Sequence, residues 1–180
     1  MISSVSQLPT QPTAARDDLL ITGGEFRRVM GHLPTGVAVV AALVDGTPVG
    51  MAINSITSVS LDPPLIAICI DNKSSTWPHI RRTGSFSVSI LAAHDEQAPR
   101  RFSGPSENRF VGVGWDAHET GPVLDEAVAW IDCTVHQEHS AGDHTIVVAR
   151  ATDLGTAEDG HALLFFRGQY GHFIPATRTS

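Results

Sequence analysis

The chain has 180 residues and a formal net charge of −7, from 19 acidic and 12 basic residues, and its only lysine is Lys73. An acidic chain without a basic run excludes the usual non-specific binder of nucleic acid. The longest apolar run, Val37–Val44, is far below the roughly 20 residues that a membrane-spanning helix needs. The chain also begins without the basic start and apolar block of a signal peptide. Cys69 and Cys133 are too few for a disulfide framework and lack metal-ligand spacing, which indicates reduced thiols in a cytoplasmic protein.

Composition separates a central region from two short ends. Residues 1–19 are rich in Ser, Thr, Gln and Pro without apolar periodicity, which predicts a flexible tail. Residues 175–180 have a similar composition. No internal repeat or linker interrupts residues 20–174, so the sequence predicts a single domain.

The apolar patterns predict many strands and few helices. The predicted strands are 37–44, 48–60, 65–70, 85–90, 129–136, 145–153 and 161–167. Helices are predicted from a Thr22–Glu25 capping box to about Pro34, from Ser74–Thr76 to about Arg82, and over 94–102. In the strand at 85–90, serines alternate with apolar residues, which predicts one buried and one solvated face. Residues 103–122 are predicted to be a loop.

Seven strands with about three short helices favour a mainly β fold, an antiparallel sheet closed into a barrel. A doubly wound parallel sheet would need a helix after nearly every strand. The sequence has no GxxxxGK[ST] loop, and Gly112 and Gly114 make only half of a GxGxxG pattern. A nucleotide site in this chain would therefore not be of the Rossmann type.

A dense cluster of hydroxyl and amide side chains occupies Asn54–Ser60, inside an otherwise apolar strand. One interpretation is cross-strand pairing of Ser and Thr at a wet rim. The other is a strand edge that offers hydroxyl, amide and backbone N–H groups to a polar planar ligand.

A second cluster, Lys73-Ser74-Ser75-Thr76, stands at a predicted helix start. Free N–H groups and capping hydroxyls at such a start favour an anion such as phosphate. An ordinary helix cap is the alternative interpretation.

Histidines and arginines provide the remaining candidates. His144 follows a predicted turn at Gly142-Asp143, while His136, His139 and His144 lack the spacing of a metal site, so no metal is predicted. Arg100, Arg101 and Arg109 form either a solvated face or contacts to an acidic ligand.

Several stretches match one known family. They are FRRVMGHLPTGVAVVAA at 26–42, GMAINSITSVSLDPPLIAICI at 50–70, KSSTW at 73–77, the RRF and ENRF pair around 101–110, AGDHTIVVARA at 141–151 and FFRGQY at 165–170. On these motifs, residues 26–173 resemble the flavin reductases with the FMN-binding split-barrel fold. Those proteins are the small reductase components of two-component flavin monooxygenases.

The resemblance implies a homodimer that binds FMN or FAD, accepts hydride from NADH or NADPH and serves a partner monooxygenase. It also implies a set of site residues. These are Thr35 and Gly36 near the flavin; Asn54, Ser55, Ile56, Thr57, Ser58, Val59, Ser60, Leu61 and Asp62 along the isoalloxazine and ribityl chain; Lys73, Ser74 and Thr76 at the phosphate; Phe102 beside the cofactor; and His144 and Tyr170 on the nicotinamide side. His144 is expected to position the nicotinamide.

The sequence departs from the family pattern at two places. Ala52-Ile53 replaces Thr-Ala, and Ile56 replaces an aromatic residue, so one hydroxyl and one ring near the flavin are missing. The choice between FMN and FAD stays open. A phosphate site with a single lysine predicts a moderately bound, exchangeable flavin. The shortage of basic residues favours NADH, with Arg100, Arg101 or Arg109 as an alternative clamp for a 2′-phosphate.

Two other functions compete with a reductase. One is a split barrel that binds flavin or haem without turnover, as a carrier or sensor. The other is a β-barrel scaffold without a cofactor. Flavin-dependent oxidation of NADH separates the three.

Overall fold

The structure is a computed structural model that describes residues 21–157 and 160–175. The predicted tail at 1–19, and the predicted C-terminal end beyond residue 175, lie outside those ranges. The helices are α1 Gly23–Met30, α2 Trp77–Thr83 and α3 Gln97–Ser103, with a 3-10 turn at Ser106–Asn108. The strands are β1 Thr35–Gly36, β2 Ala38–Val44, β3 Thr47–Ile53, β4 Thr57–Leu61, β5 Pro64–Asp71, β6 Ser85–Leu91, β7 Trp115–Ala117, β8 Pro122–Leu124, β9 Ala127–Ala141, β10 His144–Thr156, β11 Leu163–Phe166 and β12 Gln169–His172.

Three antiparallel sheets make up the β structure, which confirms the predicted mainly β, antiparallel fold class. The largest has the strand order β3-β2-β6-β9-β10-β5-β4, and the others are β1-β11-β12 and β7-β8. No helix of the described ranges is both long and apolar enough to cross a bilayer.

The predicted strand at 48–60 is wrong in one respect, because the structure breaks it into β3 and β4. These strands form the two opposite edges of the seven-stranded sheet. Ile53 and Thr57 are four residues apart, so their Cα atoms are separated by at most about 14 Å. A flat sheet of seven strands would hold its edges about 29 Å apart. The sheet must therefore curl until its edges approach, leaving a seam, bridged by residues 54–56, between β3 and β4.

Two apolar cores lie on the two sides of this curled sheet. The inner core joins one face of β2 and β5 to Trp77 and Ile80 of α2. The outer core joins the other face of β2 to Phe102 of α3 and Leu163 of β11. Because β2 is covered on both sides, the uninterrupted apolar run at 37–44 is a buried central strand.

The prediction that β6 is half solvated is wrong. Ser87 is fully buried and Ser89 is 1% exposed. Ser87 Oγ donates to the Pro122 carbonyl at 2.6 Å, and Leu124 N–H donates to Ser89 Oγ at 3.0 Å. The serine face of β6 is therefore covered by β8 instead of by water.

Other boundaries also differ from the predictions. The helix predicted over 94–102 begins at Gln97, the loop predicted at 103–122 contains the 3-10 turn and β7, and the last predicted strand is followed by a further strand, β12. The predicted capping box is confirmed, because Glu25 N–H donates to Thr22 Oγ1 at 3.2 Å and Thr22 N–H donates to Glu25 Oε2 at 3.0 Å. The Thr22 hydroxyl, which donates to Glu25 Oε2 at 2.7 Å, and to a lesser degree the Thr22 N–H lower the pKa of Glu25.

Candidate active site

A cavity of about 670 Å³, which we call the seam cavity, opens where α1, the seam and the β11–β12 turn meet. Its lining includes the predicted residues Thr35, Asn54 and Ser55, together with Phe165. This volume falls within the roughly 300–1,000 Å³ typical of small-molecule sites. The structure therefore brings three of the predicted flavin residues to one concave surface.

Thr35, which lines the seam cavity, carries an unusual polar group. Among the described residues, Thr35 Oγ1 is the one buried side-chain oxygen or nitrogen without a hydrogen-bond partner. Buried polar groups in proteins are nearly always paired. The next residue, Gly36, has no atom within 4 Å of the position a Cβ would take. A buried hydroxyl without a partner, on a residue that lines a cavity, fits a site built for a polar ligand.

A neighbouring cavity of about 210 Å³ shares Asn54 and Phe165 with the seam cavity and is also lined by Tyr170. Tyr170 and Phe165 face each other across β11 and β12, with ring centroids 5.4 Å apart. The predicted nicotinamide-side Tyr170 thus lies next to the predicted flavin-side Asn54.

The residues from Ser55 to Asp62 lie in different surroundings. Ser55 Oγ donates to the Cys69 carbonyl at 2.9 Å and accepts from Cys69 N–H at 3.0 Å. Ile56 packs against the inner core. Residues 57–62 form the edge strand β4 and the turn after it; they line neither cavity, and Leu61 is 91% exposed.

His144 opens β10, directly after the Gly142–Asp143 turn. Its Nδ1 lies 2.7 Å from Asp143 Oδ1. A carboxylate only accepts hydrogen bonds, so Nδ1 donates and Nε2 remains for another partner. This bond and the charge of His144, with a smaller contribution from Lys73, lower the pKa of Asp143.

Asn72 ties the histidine turn to the predicted phosphate cluster. Its backbone N–H donates to the Asp143 carbonyl at 3.0 Å, and its Oδ1 accepts from Thr145 Oγ1 at 2.9 Å. Because Asn72 immediately precedes Lys73, two groups 71 positions apart in the sequence, Lys73 and His144, belong to one cluster.

Within the predicted phosphate cluster, Lys73 is exposed and Ser74 is half-buried. Ser74 Oγ accepts from Trp77 N–H at 3.1 Å and lies 3.6 Å from Met51 Sδ. The Ser74 hydroxyl therefore accepts from the first N–H of α2. It also lies beside Met51 of β3, which is three residues before Asn54 in the chain.

Thr76, the third predicted phosphate residue, is 5% exposed. Its hydroxyl accepts from Arg109 Nη1 at 2.8 Å, and the same nitrogen donates to the Gly50 carbonyl at 2.7 Å. Arg109 Nε and Nη2 both donate to the Gly104 carbonyl. Desolvation lowers the pKa of this arginine. Thr76 and the half-buried Arg109 thus hold protein elements together, and all three guanidinium nitrogens of Arg109 donate hydrogen bonds within the protein.

Phe102 is placed in the outer core, 1% exposed, with its ring 5.0 Å from that of Phe110. It lines neither of the two cavities at the seam. Two other residues of α3, Pro99 and Ser103, line the smaller one.

Sequence reasoning missed several residues of this region. Arg27, Arg28 and Arg167 line the seam cavity, and Asn72 links the two clusters. The arginines lie inside the matched stretches FRRVMG and FFRGQY, so the signal was present in the sequence. Within the described ranges, no three His, Cys, Asp or Glu side chains converge as metal ligands would.

Comparison with known proteins decides the family. A family model described as "Flavin reductase like domain" matches residues 30–173. The chain belongs to the flavin reductase family. The resemblance seen in the motifs is thereby confirmed.

Two named relatives and one solved structure match this chain over most of its length. A flavin reductase of Pseudomonas putida is 43% identical over 82% of this chain and 88% of its own length. The reductase subunit HsaB of a flavin-dependent monooxygenase of Rhodococcus jostii is 37% identical over 83% of this chain and 77% of its own. Among solved structures, the NADH:FAD oxidoreductase SgcE6 of Streptomyces globisporus, in complex with NAD and FAD fragments, matches with a TM-score of 0.80. It is 35% identical and covers 86% of this chain and 94% of its own.

Proposed function

We propose that this chain is an NAD(P)H:flavin oxidoreductase, which reduces FMN or FAD with NADH or NADPH and supplies the reduced flavin to a partner monooxygenase. The membership in the flavin reductase family carries this proposal. The cavity that collects Thr35, Asn54 and Ser55 around an unpaired buried hydroxyl supports it independently.

The chemistry of hydride transfer belongs to the two nucleotides, and the protein holds them in reacting positions. Asn54, Ser55 and Thr35 bind the flavin ring at the seam, while Lys73 and Ser74 bind its phosphate. Ser74 contacts Met51 of β3, and β3 leads directly to Asn54. One strand thus connects the proposed phosphate end of the flavin site to its ring end.

His144 positions the nicotinamide nucleotide through Nε2, because Asp143 holds the other ring nitrogen. His144→Ala is expected to raise the KM for NADH, and Asp143→Asn to raise it less. An unchanged KM and kcat in His144→Ala would remove this role from the histidine.

Bound flavin exchanges with free flavin in solution, because Lys73 and the neutral Ser74 hydroxyl hold its phosphate without a bidentate arginine. The proposal includes a homodimer and, since the two cysteines are free thiols, a cytoplasmic location.

The test follows the near-ultraviolet absorbance of NADH in air, with FMN or FAD added to the purified protein. Oxidation that depends on both protein and flavin is the expected result. Flavin binding without oxidation would instead indicate the carrier or sensor function, and neither binding nor oxidation would contradict both.

A further inference from the structure

Three arginines surround the seam cavity. Arg27 and Arg28 come from the end of α1, and Arg167 comes from the turn between β11 and β12. They are three of only 12 basic residues in a chain with 19 acidic ones. A quarter of the positive charge of an acidic protein therefore lines a single cavity.

These charges are not used inside the protein. Within residues 21–157 and 160–175, none of the three guanidinium groups has a carboxylate within 4.0 Å. By contrast, Arg81 lies 2.6 Å from Glu138. Like charges gathered without counter-charges repel each other, so this arrangement favours an anionic ligand.

The backbone holds the two sources of arginine together. Arg167 N–H donates to the Gly31 carbonyl at 3.0 Å, which fastens the β11–β12 turn to the residue after α1. The planar guanidinium matches the oxygens of phosphate in a bidentate manner, which makes arginine a preferred phosphate ligand.

The other walls of the cavity suit the rest of a nucleotide. Met30, Leu33 and Phe165 supply apolar and aromatic surface. Apolar walls with a few polar groups and a cationic rim fit a base and sugar attached to phosphates.

We propose that the arginine side of the seam cavity, next to the flavin ring proposed at Thr35, Asn54 and Ser55, binds the phosphate-bearing, adenosine end of the hydride donor, with Arg27, Arg28 and Arg167 as the ligands of its phosphates. This assignment rests on the proposed function. The proposed flavin phosphate position at Lys73 and Ser74 lies beside Met51 and lines neither cavity at the seam, whereas the three arginines line the seam cavity. The arginines are therefore left for the second nucleotide.

The test uses ADP-ribose and its 2′-phosphorylated form as probes, because they bind without any redox step. Calorimetry compares the wild type with Arg27→Gln, Arg28→Gln and Arg167→Gln, in which glutamine removes the charge and keeps the helix propensity of the two α1 positions. Each substitution is expected to weaken ADP-ribose binding about tenfold, as expected for a lost charge-assisted hydrogen bond. The KM for NADH should rise with it, while the KM for FMN stays unchanged.

Arg150→Gln is the matched control, since it removes the same charge from an exposed position on β10, and Arg150 lines none of the cavities described above. Circular dichroism checks that each variant is folded. Equal ADP-ribose affinity in the arginine variants and the control would overturn the proposal. A rise in the KM for FAD but not for FMN, with ADP-ribose binding unchanged, would overturn it in favour of the adenylate of the flavin. Arginine-dependent ADP-ribose binding by a protein that oxidises no NADH would keep the site and reject the reductase function.

Discussion

The polar side chains of residues 54–60 have different partners in the structure. The composition of this stretch left two interpretations open, cross-strand pairing and ligand binding. In the structure Ser55 pairs with the Cys69 backbone instead of with another Ser or Thr, while Asn54 lines two cavities. Residue type alone could not separate them, because each role needs only a hydroxyl or amide and a partner that lies far away in the sequence.

Ser55→Ala is expected to lower the free energy of unfolding by about 1 kcal/mol, since Cys69 N–H and C=O lose their partner at a partly solvated position. Urea unfolding measures the change. Ser58→Ala on β4 is the control and should change it by less than about 0.5 kcal/mol. Equal stability of the two variants would contradict the bridging role of Ser55.

Cys133 makes stability depend on alkaline pH. Burial, aided by the charge of Asp132, raises the pKa of the Cys133 thiol from 9.0 to about 12. Between these values the unfolded chain releases the thiol proton and the folded chain keeps it. The stabilisation is therefore complete below pH 9 and is lost as the pH rises toward 12.

Urea unfolding of wild type and Cys133→Val between pH 8 and pH 10.5 tests this effect. The wild type should lose up to about 1.4 kcal/mol per pH unit more than the variant above pH 9. Cys69→Ser, which removes the exposed thiol, should keep the wild-type slope. Parallel curves for wild type and Cys133→Val would refute the prediction.

At the scale of elements, the sequence predicted where strands occur better than it predicted how exposed those strands are. The alternation of serine with apolar residues in β6 is typical of a half-solvated strand, and it gave the correct strand with the wrong exposure. The cover comes from β8, which lies 35 residues away, and periodicity within one segment carries no information about what packs over it. Similarly, β12 is four residues long with an interior glycine, too short for a pattern to emerge.

The turn before β8 depends on a close backbone approach at Gly121. A Cβ there would lie 2.9 Å from Ala42 Cα and 3.0 Å from Ala41 C. Gly121→Ala is expected to destabilise the protein by about 2–4 kcal/mol, because backbone must move to admit the methyl group. Gly171→Ala, whose Cβ would meet nothing within 4 Å, is the control for thermal unfolding. Equal melting temperatures of the two variants would show that β8 lies farther from β2.

For the whole molecule, the order of motifs identified the family and the number of strands predicted a sheet closed into a barrel, while the division of residues 48–60 between the two sheet edges could not be predicted. Nothing in residues 48–60 indicates that its two halves belong to opposite edges. That division depends on β9 and β10, which lie in the middle of the sheet and come much later in the chain. The placement of the three cavity arginines likewise depends on a contact between Arg167 and Gly31, which lie near opposite ends of the sequence.

The apolar stripe of α1 predicts self-association of the whole chain. No residue of α1 is buried, and Phe26 and Val29 are 58% and 59% exposed. A second copy of the chain covers this stripe in the proposed homodimer. Val29→Glu is expected to yield monomers at micromolar concentration in analytical ultracentrifugation, because a charge would be buried without a partner. Gln97→Glu, at an exposed position of α3, should remain dimeric. A monomeric wild type, or a dimeric Val29→Glu, would contradict the use of this face.

The three-residue bridge between Ile53 and Thr57 constrains how this chain can vary in length. Side chains alternate between the two faces of a strand, so one inserted or deleted residue would invert every position of β4 or slide it along β5. The same change would also lengthen or shorten the span that draws the sheet edges together. Relatives with insertions are therefore expected to carry them elsewhere, for example between residues 103 and 114, and to keep the number of residues between β3 and β4 fixed.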